Sequence, residues 1–141
     1  MSVAEELLFP DTREVLFELI DGGAFSGRTV AAYYLMPVDD RGRPAYADLG
    51  TDEAVALIYT TGGTQGWIDR VDRATVEVYA PGTAAVDVAE AIRARIVGEG
   101  IDTAEGYVDE ISCDVTPHDV PHASEAVNLG RASYLVTTRP L

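Results

Sequence analysis

Apolar positions recur along this chain with two different periods, and the switch between them falls inside one stretch, residues 68–100. Over residues 74–80 the period is two: Val76, Val78 and Ala80 share one face, and Thr75, Glu77 and Tyr79 share the other. Pro81-Gly82 breaks that strand, and Thr83 stands where a helix N-cap belongs. From Ala84 onward the period is that of a helix. Ala85, Val88, Ala89, Ile92 and Ile96 make one apolar stripe, with Asp87, Glu90 and Arg93 largely outside it. Asp87 near the N-terminal end and Arg93 and Arg95 near the C-terminal end suit the helix dipole, and Gly98 and Gly100 supply stop signals. A strand with one apolar face, followed by a helix with one apolar stripe, predicts a helix packed on a sheet.

The same reading extends along the chain. Residues 11–20 predict a short helix capped by Asp11 or Thr12, with Val15, Leu16, Leu19 and Ile20 on its apolar side and Gly22-Gly23 at its end. Residues 5–9 form either an earlier turn or an arm. Residues 29–36 (TVAAYYLM) predict a strand stopped by Pro37. Residues 38–53 lack periodicity and predict a loop of about 16 residues, a length that in compact domains tends to be functional or mobile. A second strand is expected at 55–61 (VALIYTT), and the glycine-rich 61–67 connects it to the strand over 68–80. After a connection at 101–106, residues 107–116 alternate, with Tyr107, Ile111, Cys113 and Val115 on one face and Glu110, Ser112 and Asp114 on the other. Residues 117–128 read as an irregular loop holding Pro117, His118, Pro121 and His122, and 131–138 as a closing strand. The expected fold is a single α+β domain over residues 1–141, an antiparallel or mixed sheet of about five strands with two helices packed on one face.

Composition narrows the function. A chain of 141 residues with 47% hydrophobic and 24% charged residues is that of a soluble globular domain. The single cysteine, Cys113, excludes an internal disulfide and a cysteine-rich zinc site. No run reaches the roughly 18 apolar residues that would cross a bilayer. The acidic start MSVAEELLFPD lacks the pattern of a signal peptide, so synthesis in a cytoplasm is expected. Net charge is −14 and every basic residue is arginine, scattered along the chain. That argues against gripping nucleic acid by its phosphates. It fits an ordinary acidic surface or one that lies near DNA without sticking to it.

Candidate chemistry is sparse. TTGGTQGW (residues 60–67) lacks the Lys-Ser/Thr of a phosphate-binding loop and is followed by a strand, so a glycine-rich hairpin is the expected reading. His118 and His122 lie four apart with Asp114 and Asp119 nearby, but Pro117 and Pro121 rule out the helix on which that spacing would converge. Asp39-Asp40 and Asp52-Glu53 bracket the long loop as solvated acids. No serine sits in a nucleophile-elbow context. Trp67 and the seven tyrosines fall partly at alternating strand positions, and Tyr79, on the polar face of its strand, is a candidate contact residue.

Three stretches together resemble the tail terminator proteins of long-tailed bacteriophages, particularly those of actinobacterial phages. They are the helix start Pro10-Asp11-Thr12-Arg13-Glu14-Val15-Leu16, the block DRVDRATVEVYAPGTAAVDVAEAIRARIVG over residues 69–98, and the late segment PHDVPHASEAVN (117–128) with the closing Thr138-Arg139-Pro140. The likeness covers nearly the whole chain as a pattern, without an invariant motif. It implies a tail-tube-like fold and a structural virion protein, not an enzyme, with no catalytic residue, cofactor or metal. It further implies a homo-hexameric ring that ends the tail tube, contacts the tail tube protein and the head-neck connector, and lets DNA pass through its channel without specific binding. Contact residues are expected among Asp39, Asp40, Arg41, Trp67, Tyr79, His118 and His122, and channel-facing acids among Glu77, Asp109 and Glu110. Another neck or tube ring subunit is the near alternative. A small-molecule-binding α+β domain using residues 62–67 and 118–122 is the more distant one.

Overall fold

The computed structural model describes residues 8–121 and 127–141. Helix α1 (Thr12–Ile20) starts at Asp11, whose carboxylate accepts from the backbone N–H groups of Arg13 at 3.0 Å and Glu14 at 3.4 Å. That satisfies two donors which a helix start leaves without partners. Helix α2 (Ala84–Ile96) buries Ala85, Val88, Ala89, Ile92 and Ile96, the stripe expected from the periodicity. Thr83 occupies the N-cap position, as expected, but its side chain makes no capping hydrogen bond. Its backbone is already helical (φ −73°, ψ −8°), whereas a capping residue needs the extended geometry that turns its hydroxyl back to the next turn.

The strands form one mixed sheet in the order β1-β2-β3-β4-β7-β6-β5, seven where about five were expected. They are β1 (Ala24–Phe25), β2 (Arg28–Tyr33), β3 (Glu53–Gln65), β4 (Arg70–Ala80), β5 (Gly98–Thr103), β6 (Gly106–Val120) and β7 (Asn128–Thr138). β2 and β3 run parallel, joined by the crossover at 37–52, and the other neighbouring pairs are antiparallel. The two extra strands are β1, too short to show a period, and β5. Gly98 does follow the end of α2, but the chain passes through an extended Val97 straight into a strand instead of a connection.

Both helices cover the same sheet face. Val30, Ala56, Ile58, Val76, Val78, Ala132, Tyr134 and Val136 meet Val15, Leu16, Ile20, Val88, Ile92 and Ile96 in one buried cluster. Two strands run further than the hydrophobic pattern suggests. β3 continues through the glycine-rich stretch to Gln65, and residues 66–69 close its hairpin with β4, the Gly66 N–H donating to the Asp69 carbonyl at 2.8 Å. Gly62 takes φ +95° in the bulge between Thr60 and Gly63, and a Cβ on Gly63 would run into the Val71 carbonyl.

β6 continues through Pro117, where a loop was expected. Its pairing with β7 shifts register between Val115 and His118, and such an irregularity accommodates a proline that cannot donate to the ladder. Further shifts between Val108 and Glu110 and between Cys113 and Val115 overturn the expected alternation. Val108 becomes fully buried, Tyr107 turns out to 49% exposure and Val115 to 44%, while Ile111 stays in the core with Cys113 packed against it.

The hydroxyl of fully buried Tyr134 has no hydrogen-bond partner among the described residues. Burial pushes its phenol above the ordinary range, so the folded state resists its ionisation. The stability this contributes is complete below pH about 10 and is lost as pH rises through the folded-state value. Tyr134→Phe removes an orphan polar group. It is expected to leave stability unchanged or raise it by about 1 kcal/mol, and to blunt alkaline unfolding. Melting curves at neutral and alkaline pH check both.

Candidate functional site

The sheet face opposite the helices carries the candidates Tyr79, Glu77 and His118, and strand register sorts them into rows. The first row aligns Val55, Tyr79, Leu129 and Val120 across β3, β4, β7 and β6. Residues 37–52 fold over it. Ala45, Tyr46 and Leu49 pack against Val55, Tyr79, Val127 and Leu129, and the rings of Tyr46 and Tyr79 stack at 4.9 Å and 6°. Tyr79 is therefore only 7% exposed, which corrects its reading as a contact residue. Its outward position on the strand was right; the covering crossover could not be seen from strand period.

The crossover is built by local polar contacts. Asp39 accepts from the backbone N–H groups of Arg41 at 2.8 Å and Arg43 at 2.9 Å, and these bonds, that from Arg43 foremost, hold its carboxyl below the usual range. Val38 and Pro44 form a bridge, and Arg43 reaches Asp48 at 2.6 Å. Asp39, Asp40 and Arg41 lie exposed at this turn. Tyr46→Ala should loosen the crossover and cost about 1–2 kcal/mol. Burial pushes the Tyr79 phenol up to about 12, so the same change should bring its titration back toward the ordinary value, as read by absorbance between pH 9 and 13.

The next row aligns Leu57, Glu77, Arg131 and His118. Glu77 is 7% exposed and accepts from Arg131 Nε at 2.9 Å, so this acid, expected to face a channel, is covered and neutralised within the chain. His118 is exposed on β6 and its Nδ1 lies 2.9 Å from the Thr116 carbonyl. Further along come Tyr59, Thr75, Ser133 and Val115, then Arg73, Leu135 and Ser112, with Arg73 paired to Asp114 at 3.0 Å. Sequence reasoning missed Arg131 and Arg73, because their partners lie 54 and 41 residues away and only the register brings them together.

The remaining candidates are dispersed. Asp109 pairs with Arg139 at 2.9 Å, while Glu110 is exposed with no ion pair among the described residues. Trp67, 84% exposed, and Ile68, 64% exposed, occupy the β3–β4 turn, apart from the rows above. His122 lies outside the described residues. A cleft of about 350 Å³ between the start of α1 and the β3–β4 hairpin is floored by Asp72, whose carboxylate accepts from Thr12 Oγ1 at 2.7 Å and Arg70 Nε at 2.9 Å. Among the described residues no group of three or more His, Cys, Asp or Glu side chains is placed to hold a metal ion. Nor is any described helix long and apolar enough to cross a membrane.

The described residues leave exposed part of the sheet face beyond the crossover, the Trp67–Ile68 hairpin tip and the polar turn at Asp39–Arg41. No protein-family model matches the chain, and no curated protein matches it.

Proposed function

We propose that this chain is a structural subunit of a bacteriophage virion, a tail terminator with a tail-tube-like fold. Its ring ends the tail tube and joins the tail to the head-neck connector at the head-proximal end of the tail. The observation that carries the reading is the lopsided sheet. Two helices bury one face, while among the described residues the other is covered only in part by the crossover, and β3 and β5 leave strand edges without described neighbours. Such surfaces are what a subunit spends on its neighbours, since an isolated sheet gains nothing by leaving its edges open. The likeness of residues 10–16, 69–98 and 117–140 to tail terminators names the particle. Trp67 and Ile68, displayed at the hairpin turn, are suited to anchor in a pocket of the tube or connector, where buried aromatics dominate binding.

The acid-lined channel needs narrowing. Of the acids expected to line it, Glu77 is neutralised by Arg131 and Asp109 by Arg139, leaving Glu110 as the uncompensated charge of the three. At these three positions passage of DNA then rests less on acid repulsion than on the lack of a basic cluster to grip phosphates.

The test is native mass with negative-stain images, followed by addition of purified tail tubes. A six-fold ring that sits at tube ends supports the reading. A ring that polymerises into tubes favours a tube subunit instead. A monomer that ignores tubes sinks the proposal. Trp67 is the sole tryptophan, so docking at the hairpin should shift its emission to the blue.

A further inference from the structure

We propose that copies of this chain join by parallel strand addition, β5 of one copy pairing with the outer half of β3 in the next. β2 accompanies β3 only as far as the Tyr33–Leu57 pair, so from Tyr59 to Gln65 β3 has β4 on one side and, among the described residues, no strand on the other. Among the described residues β5 likewise has β6 alone.

These two free edges bound the same part of the sheet. Following partners across the strands, Gln65 leads through Arg70, Thr138 and Val108 to Ile101, and Gly63 leads through Asp72, Val136 and Ile111 to Gly98. The edges therefore stand level with each other. Every step from β3 through β4, β7 and β6 to β5 is antiparallel, so β3 and β5 point the same way. A copy rotated about an axis along the strands thus brings its β5 to its neighbour's β3 in parallel. The contact is head-to-tail, the kind that closes into a ring when the rotation divides a full turn.

Charge favours this pairing over one between two β5 strands. The outer half of β3 reads TTGGTQ, without charge or proline, and its one protective device is the bulge at Thr60–Gly63. β5 carries exposed Glu99 and Asp102, so two β5 strands would set like charges side by side. Beside the β3 edge, Arg70 is paired with Asp72 and Arg73 with Asp114, which makes that edge neutral on a chain of net charge −14. The uncharged β3 segment therefore accepts an acidic strand that a second β5 would repel.

The pairing rests on the ring reading and supplies its contact surface. Thr64 and Glu99 stand in one row, through Val71, Thr137 and Glu110, and both are exposed. In a Cys113→Ser background, Thr64→Cys and Glu99→Cys chains are oxidised separately and mixed, with Asp102→Cys replacing Glu99→Cys to cover a shift in register. Disulfide-linked dimers are expected in the mixtures and in neither variant alone, and a chain carrying both cysteines should give a ladder. Cross-linking of the Thr64→Cys chain alone would show a two-fold β3 edge contact and overturn the proposal. A ring seen by mass and imaging without mixed cross-links would overturn the strand pairing and leave the ring reading standing. Mixed cross-links in an assembly that ignores tube ends would do the reverse. A monomer with or without tubes overturns the pairing.

Discussion

Replacing Ile92 by alanine is expected to lower the unfolding free energy by about 3–4 kcal/mol. Ile92 lies at the middle of the inner stripe of α2, has no solvent exposure, and packs in the cluster that joins both helices to β2, β3, β4, β6 and β7. Truncation removes buried methyl and methylene groups and leaves a cavity that a close-packed interior fills poorly. Domains of this size have only about 5–15 kcal/mol of net stability, so the loss is a large fraction of the whole. Ala94, exposed on the same helix, supplies the control: Ala94→Gln should change stability by less than about 0.5 kcal/mol. Urea unfolding monitored by circular dichroism separates the two. Equal effects would mean that α2 is not held by its inner stripe.

Arg131→Met should cost about 2 kcal/mol, while the double variant Glu77→Leu with Arg131→Met should restore most of that loss. The single change leaves the Glu77 carboxylate at 7% exposure without its partner. A buried unpaired charge is costly, and the value is kept modest because the Arg131 side chain is 38% exposed and water reaches the pair. The double change replaces both charges with apolar groups and removes the desolvation penalty along with the attraction. Glu77 and Arg131 are also direct partners in the β4–β7 register, so the pair resists a one-residue slip that would turn each strand's faces over. A double-mutant cycle gives the coupling, and additive losses would sink this account.

A contact surface shared by several segments is harder to read from a sequence than the helices beneath it. The inner stripe of α2, the Asp11 cap of α1 and the inward face of β4 were all legible, because each follows from spacing within a few residues: the helical repeat, the cap position and the strand alternation. The α+β class with helices on one face followed from the same local signals. Thr83 takes the N-cap position, yet its hydroxyl caps nothing because α2 begins from a helical backbone, a detail of geometry that composition does not encode.

What only the tertiary structure decided were relations across the chain. Tyr79 stands on the outward face of β4 as its period required, yet Tyr46, more than thirty residues earlier, stacks over it and makes it interior. Glu77 is acidic in the sequence and neutral in the fold because register places Arg131 opposite. Shifts of register in β6 turned Tyr107 and Val115 outward and carried the strand through Pro117, which a strict period of two could not anticipate. The free edges of β3 and β5 exist only because β2 stops short and the sheet order leaves β5 last. Local periodicity therefore determined which residues form helices and strands and which of their faces are apolar. Chain crossing and strand register, which depend on packing between residues far apart in sequence, decided which surfaces were left for partners.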